Sequence, residues 1–142
     1  MMKRKRRTEI LIHANPELAK NVAEAIATNT DWKEIVSPRH GLTMVKVRET
    51  AKNSLFYLGE VLVTEAKIEI EDHIGIGIVK GMEDELARNL AIIDAAYQAG
   101  RPEIENWEPE LMEAEEEIRK ERAKKQAEIY QTKVHFETMD ES

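Results

Sequence analysis

The residues of this chain whose types could do chemistry are four histidines, a lone aspartate in an alanine-rich stretch and a Gly-x-Gly pair. His13, His40, His73 and His135 never fall one helical turn apart, so they read as surface or packing histidines and no metal is expected. Asp94, inside AIIDAAYQAG, could be a catalytic acid only with a nearby base or second carboxylate to perturb it, and the neighbouring sequence supplies neither. The plainer reading puts it on a helix flank, solvated or paired with Arg88, Lys80 or Arg101. Gly75-Ile76-Gly77 suggests a phosphate-cradling loop. The glycines, however, fall inside an alternating strand pattern, and no Lys-Ser or Lys-Thr pair follows Gly81. The absence of cysteine excludes disulfides, thiolate metal sites, a cysteine nucleophile and an iron–sulfur cluster held by this chain.

The elements that would position these residues follow from periodicity. Thr64, Ala66, Ile68 and Ile70 alternate with Glu65, Lys67, Glu69 and Glu71, the two-residue repeat of a strand with one wet face. Glu71-Asp72-His73 supplies a turn, and Ile74, Ile76 and Ile78 resume the alternation with Gly75 and Gly77 on the opposite face, which completes an antiparallel hairpin. Two glycines on one face remove side chains where another backbone, helix or ligand comes close; the plainer reading is a strand shaved to fit the chain's own helix. That helix follows at once. Leu86, Leu90, Ile93 and Tyr97 recur at spacings of three and four, with Ala87, Ala91, Ala95 and Ala96 widening the stripe. Glu83, Asp84 and Glu85 suit its first turn, and Gly100 and Pro102 end it.

Upstream, a helix is expected from about Lys3 to His13, with its basic start a solvated arm. Asn15-Pro16 gives an N-cap and first-turn proline for a second helix, with Leu18, Val22 and Ile26 on one face, ending near Asn29. Trp32 to Val36 and Leu42 to Arg48 read as two strands around a turn at Ser37-Pro38-Arg39-His40-Gly41, and Leu55 to Leu58 either opens the long strand or closes a connection. Downstream, a charged helix is expected from Pro109 to about Tyr130, held by pairs such as Glu115 with Arg119 and Glu121 with Lys125. Val134, Phe136 and Thr138 then alternate with His135, Glu137 and Met139, as in a short terminal strand or extended tail laid on a partner. The expected fold class is α+β, a mainly antiparallel sheet of about four strands with helices at both ends. A core domain over residues 1–102 and a helical arm and tail over 103–142 complete the reading.

A chain of 142 residues suits one domain with a real core, and its formal charge of −7 argues against a general nucleic-acid or anionic-membrane surface. The charge is uneven: Met1 to Arg7 is basic, and every charged residue from Glu103 to Glu117 is glutamate. The basic start precedes only a brief apolar stretch, Ile10 to Ile12, too short for a secretion signal, and no segment approaches the length of a bilayer span. A cytoplasmic protein with no membrane partner is expected. RNA contact by the basic start and a stand-alone homodimeric binding module whose arm swaps between protomers are the competing readings.

GEVLVTEAKIEI with the glycine-bearing strand after it, the helix containing AIIDAAYQAG and the closing VHFETM together resemble the PhnG family, the small subunit of the bacterial carbon–phosphorus lyase core complex. The resemblance runs from about Ile10 to Met139 and is strongest at Gly59, Glu60, Thr64, Ala66, Gly77, Gly81, Asp94, Ala95, Val134, Phe136, Thr138 and Met139. It implies an accessory role beside the I, H and J subunits and the L protein. That assembly displaces adenine from ATP, held with Mg, by an alkylphosphonate to give an α-D-ribose 1-alkylphosphonate 5-triphosphate; the J subunit later cleaves the carbon–phosphorus bond with S-adenosylmethionine and an iron–sulfur cluster. No cofactor is expected on this chain alone. The resemblance establishes no catalytic residue; Glu60, Thr64, Arg88 and Asp94 are the polar candidates for positioning or proton handling, and Gly59, Gly75, Gly77, Gly81, Tyr130, Val134, Phe136 and Met139 are candidates for family-motif or interface roles.

Overall fold

The computed structural model describes the backbone of residues 2–49 and 54–140, and the side chains of 2–44 and 59–133. Its order is α1 (Arg4–His13), α2 (Pro16–Asn29), β1 (Lys33–Glu49), β2 (Ser54–Ile70), β3 (His73–Lys80), α3 (Asp84–Ala99) and α4 (Glu103–Asp140). The α+β class holds. The sheet has three antiparallel strands in the order β1-β2-β3, against the four expected. The difference lies in β1: the segment Ser37 to Gly41 stays in the strand, and its irregularity is absorbed by register shifts between Glu34 and Val36 and between Val36 and Arg39. Pro38 is tolerated there because β1 is an edge strand, where a missing N–H costs no ladder bond.

Glu71 and Asp72, at φ of 48° and 65°, make the two-residue turn of the β2–β3 hairpin in the left-handed conformation that matches strand twist. Ala66 faces Gly77 and Ile68 faces Gly75 across it. The buried face of β2 carries Thr64, Ala66, Ile68 and Ile70, as the alternation requires. On β3 the glycine face is the buried one, and Ile74 and Ile78 look outward, roughly half exposed. A side chain added at Gly77 would meet the Ala87 carbonyl, and one at Gly75 the backbone of Ala91 and Ala95. The strand is therefore shaved so that α3 can rest its alanines directly on the sheet. Gly100, at φ 67°, ends α3 in the left-handed cap typical of glycine.

α2 begins as expected, with the Asn15 side chain accepting from the Glu17 amide at 3.0 Å and Pro16 in the first turn. α4 corrects two expectations. It starts at Glu103 and contains Pro109, because Ile104 and Leu111 on either side are buried in the core and Trp107 packs against it. It also continues to Asp140, so the Val134 to Met139 segment is helical and not extended. Nothing between Tyr130 and Val134 breaks a helix, and extending an existing helix costs no new nucleus. The side chains of Val134, Phe136 and Met139 lie outside the described residues.

Candidate functional site

Asp94 is the chemically loaded residue that the fold buries, at 1% exposure. The expected flank position with Arg88, Lys80 or Arg101 is corrected. Its partners come from α1: Arg7 Nη2 donates to Oδ1 at 2.6 Å, and Arg4 Nη2 lies 3.2 Å from Oδ2. The Ile76 amide of β3 and Gln98 Nε2 donate to Oδ2 at 2.9 and 3.1 Å. Arg7 is itself only 5% exposed and lies with its guanidinium carbon 4.3 Å from the centroid of the Tyr97 ring. The solvated arm expected for the basic start is thus a docked helix, with Met2, Ile10 and Leu11 in the core.

This arrangement is a tie. Both carboxylate oxygens are engaged, Oδ1 by Arg7 and Oδ2 by Arg4, the Ile76 amide and Gln98, and the two charge-assisted contacts are the strong ones. The tie joins α1, α3 and the outer edge of β3, and it caps the Ile76 N–H that an edge strand would otherwise offer to another chain. Sequence reasoning missed Arg7 because it treated Met1 to Arg7 as one charge block. The available signal was helical: Arg7 lies three and four residues before Ile10 and Leu11, on the face that must be buried.

Tyr97 shares this buried region, and burial, aided by the nearby Glu108 carboxylate, pushes its phenol up to about 12. Its neutral form is therefore favoured by folding. The stability it contributes is complete below the ordinary value of 10.0 and is lost as pH rises from there through about 12. An alkaline ultraviolet difference titration between wild type and Tyr97→Phe is expected to show a phenolate transition near 12; a midpoint near 10.0 would mean the ring is solvated.

The other expected residues do not join Asp94. Thr64 is fully buried, and its hydroxyl donates to the Gly81 carbonyl at 2.6 Å and accepts from the Glu83 amide at 3.0 Å, fixing the turn from β3 into α3. Thr64→Val keeps the shape and strands both backbone groups, which costs about 1–3 kcal/mol in chemical denaturation. Arg88 is bonded to Glu34 Oε1 through Nε and Nη2 at 3.2 and 3.1 Å, tying α3 to β1. Glu60 is exposed opposite Met44, beyond the end of β3. Gly75 and Gly77 lie under α3, whereas an added side chain at Gly59 or Gly81 would find open space. Tyr130 is exposed on α4. His40 Nε2 lies 2.6 Å from Asp84 Oδ1, and among the described residues no group of three or more His, Asp or Glu is placed to hold a metal.

At the far end of α3, Arg101 hydrogen-bonds Glu103 and Glu71 at 2.8 and 2.7 Å, and its hydrogen bond holds the Glu103 carboxyl below the usual range. The Arg6 hydrogen bonds, at 2.8 Å, do the same for Glu115 where α4 crosses α1. These ion pairs join separate elements of the fold. Among the described residues, apolar surface left uncovered lies on the outer face of the sheet and on two projections, the β1–β2 hairpin around Leu42, Met44 and Leu62 and the second half of α4 around Ile129 and Tyr130.

Against this geometry, the model of the family described as phosphonate metabolism protein PhnG matches residues 2–140. The chain belongs to the PhnG family. That assignment places it in phosphonate metabolism, and the PhnG match takes in both the buried tie and the two projections. Among the described residues no helix is long and apolar enough to cross a membrane.

Proposed function

We propose that this chain is an accessory subunit of the carbon–phosphorus lyase core complex. In this role it supports transfer of the ribose 5-triphosphate moiety of ATP to an alkylphosphonate, with release of adenine. The observation that supports this reading is the PhnG match over nearly the whole chain. The geometry suits an accessory part: the polar candidates Glu60, Thr64, Arg88 and Asp94 stand apart, three of them committed to holding elements together. The chain would act in the cytoplasm beside the I, H and J subunits and the L protein, which would supply the ATP, Mg and phosphonate contacts. Its own contribution would be surface.

The outer face of the sheet fits that task, with Ile35, Ile74 and Ile78 exposed beside Glu65, Lys67 and Arg39. Co-expression with the I, H and J subunits is expected to yield one assembly containing this chain. Ile74→Glu with Ile78→Glu, both on the wet face, should leave the isolated fold intact and release the chain from the assembly. Recovery of the I, H and J assembly at full yield without this chain bound would count against the accessory reading.

A further inference from the structure

α1 and α2 begin in opposite ways. α2 has the Asn15 cap, Pro16 in its first turn and Glu17 at the positive end of its dipole. The N-cap of α1 is Lys3, which makes no side-chain hydrogen bond, and its first turn holds no acidic residue. Arg4, Lys5, Arg6 and Arg7 fill that turn, where the helix dipole disfavours cations. Lys3 and Arg4 also stand as like charges four and three positions before Arg7. A helix of ten residues is in any case too short to hold itself. Nothing local makes the start of α1 helical.

What holds this segment lies on other elements and is ionic or polar. Arg7 and Arg4 meet Asp94 of α3, Arg6 donates twice to Glu115 of α4 at 2.8 Å, and the Met2 amide donates to Glu108 at 3.2 Å. The apolar anchors are unevenly placed. Ile10 and Leu11, 3% and 1% exposed, pin the half of α1 that leads into α2, whereas Met2 is the one buried apolar side chain before them. Lys3 to Arg6 are exposed and Thr8 is half-buried.

The buried ion pair fastens the segment less firmly than its 2.6 Å distance suggests. Burial takes Arg7 and Asp94 out of water, a cost that offsets much of their attraction. Deleting one partner strands the other inside the fold; lifting the segment returns both to water together. Asp94 keeps the Ile76 amide and Gln98 when Arg4 and Arg7 leave. The Arg6 side of the second pair is exposed, so that pair is weakened by salt.

We infer that the first part of α1, Met2 to Thr8, is a strap that lifts from α3 and α4 as a unit at far lower cost than global unfolding, hinged on the Ile10 and Leu11 anchor. Released, it is a basic arm, and Asp94, Glu108 and Glu115 remain as the acidic track it had filled. Ionic strength therefore sets the fraction of chains whose strap is docked. The sheet and α3 stay packed in both states, because Ala87, Ala91 and Ala95 rest on the glycine face of β3 without help from the strap. The inference stands apart from the phosphonate reading and does not rest on it.

The test is amide hydrogen exchange of the full chain, followed by nuclear magnetic resonance. The Arg7, Thr8 and Glu9 amides are expected to exchange about ten-fold or more faster than those of Ala91 and Ile93 in α3. Raising sodium chloride from about 50 to about 500 mM should speed the α1 amides roughly three-fold relative to α3. Glu115→Gln, which removes one fastening, should also speed them roughly three-fold. Lys3→Asp, which supplies the missing cap and removes a cation from the first turn, should slow them roughly three-fold. Neither variant should move the α3 amides. Exchange of α1 in step with α3, α1 exchange unmoved by salt, or variants that shift α1 and α3 together would overturn the inference.

Discussion

Replacing Gly77 with valine is expected to unfold the protein or to leave it without a cooperative transition. The added Cβ would press into the Ala87 carbonyl and stand 2.8 Å from the Ala91 amide, so the clash is with backbone, not with the tip of a side chain that could swing away. Overpacking a core with flexible neighbours costs about 1–3 kcal/mol. Here relief requires α3 to lift off the sheet along the line of Ala87, Ala91 and Ala95, all fully buried, and the Asp94 carboxylate would lose the Ile76 amide. The expected loss therefore lies at or above the upper end of that range. Gly77→Ala should be milder but still severe, and Gly41→Ala, where nothing lies within 4 Å, serves as the control. Circular dichroism during urea unfolding reads all three; a midpoint for Gly77→Val equal to wild type would mean that α3 does not sit as described.

Asp94→Ala is expected to cost about 3–5 kcal/mol, the range for removing one partner of a buried ion pair. The cost arises mainly from what is left behind: Arg7, 5% exposed, keeps its charge and loses its anion, and the Ile76 amide loses its acceptor. For a chain of this size the melting temperature should fall on the order of 10 °C. Arg7→Met, which removes the buried cation and keeps its length, should recover part of that loss in the Asp94→Ala background, whereas in the wild-type background it should destabilise. A double variant that is the plain sum of the two single variants would show that the pair is not coupled.

What could be read from the residues was whatever repeats locally. The Thr64 to Ile70 alternation, the Glu71-Asp72 turn, the Asn15-Pro16 start of α2 and the stripe of α3 each depend on neighbours within a few positions, and each stands where periodicity puts it. The glycine pair also told its story, since a strand with no side chains on one face must have something close against it, and α3 is the element that follows. What the residues withheld were partnerships across long separations. Asp94 and Arg7 are 87 positions apart, and no pattern in either segment names the other. β1 read as two strands because Pro38 and Gly41 are turn residues in isolation, and only the pairing with β2 carries the strand through them. The segment from Val134 to Met139 shows a two-residue alternation that is too short to outweigh the helix already running into it. The four polar candidates taken from the family resemblance turned out to stand in four different environments, three joining elements of the fold and Glu60 on a projection.

The central proposal is that this chain, whose buried ion pair joins its own elements, serves phosphonate metabolism as part of a larger catalyst. The most direct measurement is release of adenine from ATP with methylphosphonate by the I, H and J subunits and the L protein, with and without this chain. Phosphonate-dependent adenine release that falls at least ten-fold on omission of this chain alone, and returns when the purified chain is added back, is the result expected. Full adenine release in its absence would contradict the account.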